Sequence, residues 1–400
     1  INIYSTVIFI AALFNRKANL MISGRRMIKI PDFEGQNVIW IHAASLGEFE
    51  QGKPLIERLK KDYSKTKIVL TFFSPSGYEV RKNYELVNHV TYMPFDSKKN
   101  AIKFLDNFKP KLVIFIKYEF WFNFLIELKR REIPVVFISA IFRENQIYFK
   151  PIGKWFLRHL LQVTHFFVQN KHSQDVLIRN NINQNTVVGD TRFDSVLDVK
   201  NTNFKNPKID SFLSGFKCIV FGSTWGPDEE LITKFINSEI LKGFKFIIAP
   251  HEISHQKSEQ IQKNIKVQSA LYSEEFITSK TQVLIVNEIG QLKYIYRYAN
   301  LAYIGGGFGA GIHNTLEASV YGCPVLFGPK YQKFDEAKRM IELEIGFYVS
   351  NYQSFESKIL SLLDSDEIKI KFRSKHFFKE SEGATGKIIS YLKEQGLLIL

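Results

Sequence analysis

The chain has 400 residues, 45% hydrophobic and 24% charged, which excludes a disordered or fibrous protein and gives length enough for two or three domains. Two cysteines, Cys218 and Cys323, exclude a disulfide scaffold, are too few for a structural zinc site, and make a reducing cytoplasm the expected compartment. The formal net charge is +14, and residues 1–200 carry +12 of it, so the first half is the part expected to meet an anionic surface.

In chain order, residues 1–30 come first. Ile3, Val7, Ile10, Phe14, Ala18 and Met21 recur at helical spacing, Ile8, Phe9 and Leu13 widen the stripe, and Arg16, Lys17, Arg25, Arg26 and Lys29 follow. The unbroken apolar run Ile8–Phe14 is too short to span a bilayer. With no basic region before it and no small-residue cleavage site after it, it does not read as a signal peptide. The pattern predicts a helix lying in the membrane interface. The competing reading packs the same stripe on its own domain.

Beyond residue 36, short apolar runs alternate with longer amphipathic segments. Strands are predicted at Val38–Ala44, Lys67–Phe73, Val90–Phe95, Lys111–Lys117, Pro134–Ala140 and His165–Asn170, with helices such as Phe49–Lys61, Glu119–Arg131 and Lys171–Asn181 between them. Asn201, Asn203, Asn206 and Pro207 break the rhythm within 198–214, which reads as a linker. Strands resume at Cys218–Thr224, Phe244–Pro250, Val283–Glu288, Leu301–Gly306, Pro324–Gly328 and Gly346–Ser350. Near-continuous apolar strands separated by helices mean parallel sheets covered on both faces. The expected fold class is α/β with two doubly wound parallel-sheet domains. The boundaries are 1–30 for the interfacial segment, 31–200 for the first domain, 201–214 for the linker and 215–400 for the second domain, with the ligand cleft expected between the domains.

Two stretches carry the chemistry. The first strand runs into Ser45-Leu46-Gly47-Glu48, a small turn at the end of a parallel strand, where open α/β sheets bind ligands. Glu48 there is a candidate catalytic carboxylate, or only a helix-start residue favoured by the dipole, and Ser45 is a candidate ligand group or an N-cap. The second stretch is Gly305-Gly306-Gly307-Phe308-Gly309-Ala310-Gly311-Ile312-His313-Asn314-Thr315-Leu316-Glu317. Five glycines after a strand, before a helix opening near Asn314, predict a phosphate site of backbone amides, with Glu317 one turn on to accept ribose hydroxyls. Neither the dinucleotide fingerprint nor a P-loop is present. The competing reading is a turn for tight strand–helix packing. Ser223-Thr224, Pro250-His251-Glu252, Glu119 and Phe334-Asp335-Glu336 also stand at predicted strand ends or beside them, and His42 reads as a core histidine. No metal-ligand spacing occurs, so no metal site is expected. The cations are scattered with no binding motif beside them, so no nucleic acid is expected.

Taken together, these residues resemble the 3-deoxy-D-manno-octulosonic acid (Kdo) transferases. Trp40-Ile41-His42-Ala43-Ala44-Ser45-Leu46-Gly47-Glu48 is similar to the family's N-terminal motif. Thr71-Phe72-Phe73-Ser74-Pro75-Ser76-Gly77, Pro94-Phe95-Asp96, Glu119-Phe120-Trp121-Phe122-Asn123, Gly189-Asp190-Thr191-Arg192-Phe193-Asp194, the Gly-rich stretch and Gly328-Pro329 follow in the family's order. The resemblance implies a GT-B glycosyltransferase, with two Rossmann-like domains, that takes Kdo from CMP-Kdo to a lipid A precursor in lipopolysaccharide synthesis. The reaction would be inverting and metal-independent, with CMP-Kdo a substrate and no cofactor. It would run on the anionic cytoplasmic face of the inner membrane.

By the same resemblance Glu48 is the general base. The resemblance also assigns Gly305–Gly311 and Glu317 to CMP binding, and Ser223, Thr224, Pro250, His251, Gly305, Gly306, Gly307, Phe308, Gly309, Gly311, Asn314 and Glu317 are the expected donor-binding residues. Ser45, Gly47, Lys53, Glu119 and Arg192 are the expected acceptor-binding residues, with Lys53 and Arg192 as candidate cations for a carboxylate or phosphate. The chain departs from the family at Pro250-His251-Glu252, where Pro-Arg-His is common, at Gly307, where a serine is common, and at Ile141, where an arginine is common with Arg143 two residues on. The rival readings are a GT-B enzyme using a UDP-sugar and a lipid-linked acceptor, and a non-catalytic membrane-docking protein with this fold.

Overall fold

The computed structural model describes residues 11–12, 14–26, 31, 33, 35–275 and 277–398. They form two compact units, residues 1–195 with 381–400 and residues 196–380. Each is built on a seven-stranded sheet in which every pairing is parallel.

The first sheet contains β1 (Val38–Ala43), β2 (Lys67–Phe72), β3 (His89–Tyr92), β4 (Leu112–Ile116), β5 (Val135–Ala140), β6 (His165–Val168) and β7 (Asn185–Val187), in the order β3-β2-β1-β4-β5-β6-β7. Strand residues alternate between two cores because successive side chains point to opposite faces. Trp40 of β1 and Phe115 of β4 lie in one core, and Ile39, Ile41 and Ile114 in the other. The order reverses between β1 and β4, which is the position where doubly wound sheets open a ligand crevice.

The second sheet contains β8 (Lys217–Thr224), β9 (Phe244–Pro250), β10 (Ser269–Leu271), β11 (Val283–Ile285), β12 (Leu301–Ile304), β13 (Val325–Phe327) and β14 (Gly346–Tyr348), in the order β10-β11-β9-β8-β12-β13-β14. Its reversal falls between β8 and β12.

The observed boundaries correct the expected ones. Residues 381–400 belong to the first unit, not to a domain ending at 400. The helix Ala384–Glu394 buries Ala384, Ile388, Ile389 and Leu392 in the core that holds Ile41 and Ile114. Asp194 accepts from the amides of Gly383 (2.6 Å) and Thr385 (2.7 Å) at the start of that helix, meeting groups that a helix N-terminus leaves without internal partners. The expected linker 201–214 contains the helix Pro207–Leu213, with Ile209, Phe212 and Leu213 buried. Asn206 and Pro207, read as breakers, are its N-cap and first residue: the Asn206 side chain accepts from the Ile209 amide at 3.2 Å. The short strands β7 and β10 were not expected.

Most of the expected interfacial stripe, including Ile3, Val7, Ile8, Phe9, Ile10 and Leu13, lies outside the described residues. Within them, the helix Arg16–Arg26 packs Met21 and Ile22 against Phe73 and Phe95. Arg25, expected to face an anionic surface, turns inward. It donates to the carbonyls of Met21, Phe73 and Met93, each at 2.8 Å, between the rings of Phe73 and Phe95. Among the described residues no helix is long and apolar enough to cross a membrane.

Candidate active site

In the first unit the site is assembled by the turns after β1 and β4. Ser45 stands at the N-cap of the helix Leu46–Asp62, but its hydroxyl donates to the Glu48 carboxylate instead of accepting from a helix amide. β4 delivers Lys117, whose φ of 65° lies in the left-handed region. Such a conformation in a non-glycine residue persists only where the surroundings impose it. Lys117 Nζ lies 3.2 Å from Glu48 Oε1, with the lysine and glutamate side chains 24% and 17% exposed. Burial opposes the Glu48 charge, but Lys117 and Ser45 outweigh it and hold the carboxyl below its ordinary pKa. Glu119, two residues beyond Lys117, moves the other way. Burial and then the charge of Glu48 push it up to about 7. Two neighbouring carboxyls driven apart in pKa are a recurring signature of acid–base chemistry.

Gly47 is exposed, and a Cβ there would meet nothing nearer than Ser45 Oγ at 3.8 Å, so packing does not demand glycine and the approach to Glu48 stays open. His42 is fully buried and pushed down to about 3 chiefly by that burial, so it is neutral, with Nδ1 2.8 Å from the Thr71 hydroxyl. It is a core histidine, as read from its strand.

Two expected acceptor groups are engaged elsewhere. Lys53 pairs with Glu57 along its own helix (3.2 Å). Arg192 grips the buried Asp190 through Nε (2.9 Å) and Nη2 (2.7 Å), and Gln51 also donates to that carboxylate. The motif at Asp96 is architectural in the same way: its carboxylate accepts from the amides of Asn123 and Phe124, both at 3.3 Å, and so caps the helix Phe122–Arg130 that follows Glu119.

In the second unit the ends of β8, β9 and β12 meet. Ser223 takes a φ of 54°, and Thr224 is buried beside Pro250, the last residue of β9. Trp225 and His251 stack with centroids 4.6 Å apart, and His251 and His313 at 4.2 Å. Trp225 Nε1–H donates to His313 Nε2 at 2.8 Å, and burial, then His251, hold His313 down at about 4, so it is neutral and able to accept.

The Gly-rich loop differs from its expectation. The amide of Gly305 donates to Gly222, that of Gly306 to the Asp228 carboxylate, and those of Gly309 and Gly311 to the Gly306 carbonyl. Those four N–H groups are committed within the protein rather than offered to a phosphate. A Cβ at Gly305 would fall 2.3 Å from the Ser223 carbonyl oxygen, and one at Gly307 2.6 Å from the Gly328 backbone, so tight packing accounts for both. The helix expected near Asn314 is a single turn, Leu316–Ser319, cut short before Gly322 and Pro324, and offers little dipole. Asn314 donates to Glu317 at 3.1 Å.

Sequence reasoning missed Lys117, Trp225 and Asp228. Asp228 is 1% exposed and ties the site together, accepting from Trp225 N (2.9 Å), Gly306 N (2.8 Å) and Tyr303 OH (2.7 Å). Lys117 did carry a signal, as a cation closing an apolar strand run.

Comparison with known proteins now decides the class. Residues 22–195 match the family model described as 3-deoxy-D-manno-octulosonic-acid transferase. Residues 22–195 are therefore similar to a Kdo transferase domain. The chain is accordingly a glycosyltransferase with the α/β, GT-B architecture. It is 27% identical over 348 residues to a 3-deoxy-D-manno-octulosonic acid transferase of Aquifex aeolicus, covering 85% of this chain and 90% of the relative. It is 26% identical over 379 residues to a bifunctional glycosyltransferase/methyltransferase of Fusobacterium nucleatum, covering 91% of this chain but only 58% of that protein. The UDP-GlcNAc 2-epimerase from Neisseria meningitidis, solved with UDP-GlcNAc, shares the fold at a TM-score of 0.62 and 17% identity, covering 90% of this chain and all of that one.

Proposed function

We propose that this Kdo transferase-like chain moves Kdo from CMP-Kdo to a lipid A precursor, with inversion and without a metal ion, on the cytoplasmic face of the inner membrane. One observation carries the reading: inside a Kdo transferase domain, at the reversal of its sheet, Glu48 is held ionised by Lys117 and Ser45.

A sugar hydroxyl is a weak nucleophile until its proton has a destination. Glu48 accepts that proton as the acceptor oxygen bonds to the anomeric carbon. The bond from that carbon to the phosphate oxygen breaks, its electron pair leaves on CMP, and attack from the opposite face inverts the centre. General-base assistance of this kind contributes roughly 10²–10⁴-fold in rate. Glu119 and Ser45 position the acceptor, and the exposed Gly47 leaves room for it. On the donor side, the planar stack of Trp225, His251 and His313 suits a nucleobase, and Asn314 with Glu317 suits ribose hydroxyls.

A ligand that binds only the folded protein raises its melting temperature by mass action. At equal concentration CMP should raise it more than UDP. A larger shift with UDP would replace this reading with a UDP-sugar transferase.

A further inference from the structure

Residues 145–174 contain no Asp or Glu, while Lys150, Lys154, Arg158 and Lys171 lie among them. Within this stretch two short turns, Ile147–Phe149 and Pro151–Gly153, lead into the helix Lys154–Leu160. Their inner side is anchored. Tyr148 meets Phe120 edge-on at 5.0 Å, Phe149 packs on Phe142 at 5.9 Å and Phe156 on Phe122 at 4.7 Å. Gly153 donates to the Lys150 carbonyl at 2.7 Å, and a Cβ there would sit 1.8 Å from the Ile147 carbonyl oxygen, so the second turn is locked against the first.

The outer side is apolar as well. Ile152 is 80% exposed, Ile147 50%, Trp155 49% and Leu161 42%. Lys150, Lys154 and Arg158 are exposed among them, and none of the three has a carboxylate partner among the described residues. Water-facing surfaces of soluble proteins usually intersperse both signs of charge and scatter their large apolar groups singly. Apolar and aromatic groups interleaved with cations of one sign, on a fixed scaffold, match the boundary between lipid headgroups and acyl chains.

We infer that the surface formed by Ile147–Leu161 seats on an anionic bilayer, with Ile152 and Trp155 in the headgroup–acyl boundary and Lys150, Lys154 and Arg158 against lipid phosphates. The site is separate from residues 1–30. Its purpose rests on the proposed lipid-borne acceptor, since Phe120 and Phe122, which the segment packs on, follow directly after Glu119 in the chain. The docking itself is measured without that reading.

The test uses the full chain and vesicles of phosphatidylcholine, with and without phosphatidylglycerol. The wild type should sediment with the anionic vesicles and much less with phosphatidylcholine alone. Ile152→Asp should lower that partition about tenfold, the scale of losing one buried aliphatic side chain, at an unchanged melting temperature. Acyl-brominated lipids should quench the wild-type fluorescence, and Trp155→Phe, a conservative change that keeps the fold, should remove the quenching. Equal binding to both vesicle types, wild-type partition by Ile152→Asp, or quenching that persists in Trp155→Phe would each overturn the inference. Transfer to a deacylated, soluble acceptor separates the two proposals. Ile152→Asp should retain it, and its absence in the wild type counts against the transferase reading while leaving the vesicle result to stand.

Discussion

Burial opposes the charge of both site carboxyls and Lys117 favours it, prevailing with Ser45 at Glu48 but not at Glu119. Lys117→Met should therefore raise the pKa of Glu48, and the acidic limb of the kcat/KM profile should move to higher pH; an unmoved limb would remove Lys117 from the site. Glu119 gives a second test, on stability. Its pKa rises on folding from 4.5 to about 7, so the folded state holds the proton more tightly. Its contribution to stability is fully present below pH 4.5 and is lost as the pH climbs through 7. Glu119→Gln should abolish that slope, and its melting temperature should overtake the wild type's as the pH rises above neutrality. Parallel melting curves across this window would contradict the assignment. Glu48 was legible in the sequence because it follows the end of an apolar strand. Its partner was not, because pairing residue 48 with residue 117 requires knowing that β1 lies beside β4. Arg192 shows the converse limit, since a cation read as ligand-binding proves to be bound to its own neighbour Asp190.

Strands of four residues or more could be read from their apolar runs, because burial on both faces leaves little room for polar side chains. β7 (Asn-Thr-Val, only partly buried) and β10 (Ser-Ala-Leu) open on polar residues and show no apolar run, whereas β11 (Val-Leu-Ile) and β13 (Val-Leu-Phe), equally short, do. Asn206-Pro207 misled for a different reason, because residues that end one element also begin the next. The Gly-rich loop was legible as a turn, but the internal partners of the Gly305, Gly306, Gly309 and Gly311 amides were not, since their acceptors come from β8, Asp228 and the loop itself. Gly305→Ala and Gly309→Ala test this directly. A methyl at Gly305 meets the Ser223 carbonyl at 2.3 Å, whereas at Gly309 the nearest atom is 3.5 Å away. The first should cost about 1–3 kcal/mol in denaturant unfolding, as overpacking does, and the second well under that. Equal costs would mean that the loop does not pack as described.

For the whole molecule, the return of residues 381–400 to the first unit was invisible to a reading that runs outward from each strand. Ile388, Ile389, Leu392 and Leu398 are buried there. At about 1.5–3 kcal/mol each they reach the size of a domain's entire net stability, about 5–15 kcal/mol. A chain ending at residue 380 should therefore lose amide-exchange protection in β1, β2 and β4 while β8, β9 and β12 keep theirs, and uniform protection would contradict the division into units. The positive charge of the first half is legible from composition, whereas the exposed turns that present Ile152 and Trp155 are not, because a buried and an exposed apolar residue look alike in sequence. Kdo transfer with Glu48 as base is the proposed activity. Its most direct test incubates CMP-Kdo and a lipid A precursor with wild type and with Glu48→Gln, reading the product by mass and the CMP released over time. The wild type should yield a lipid heavier by whole Kdo residues, with Glu48→Gln slower by roughly 10²–10⁴-fold at unchanged CMP affinity. No Kdo-bearing lipid from the wild type, or full turnover by Glu48→Gln, would contradict it.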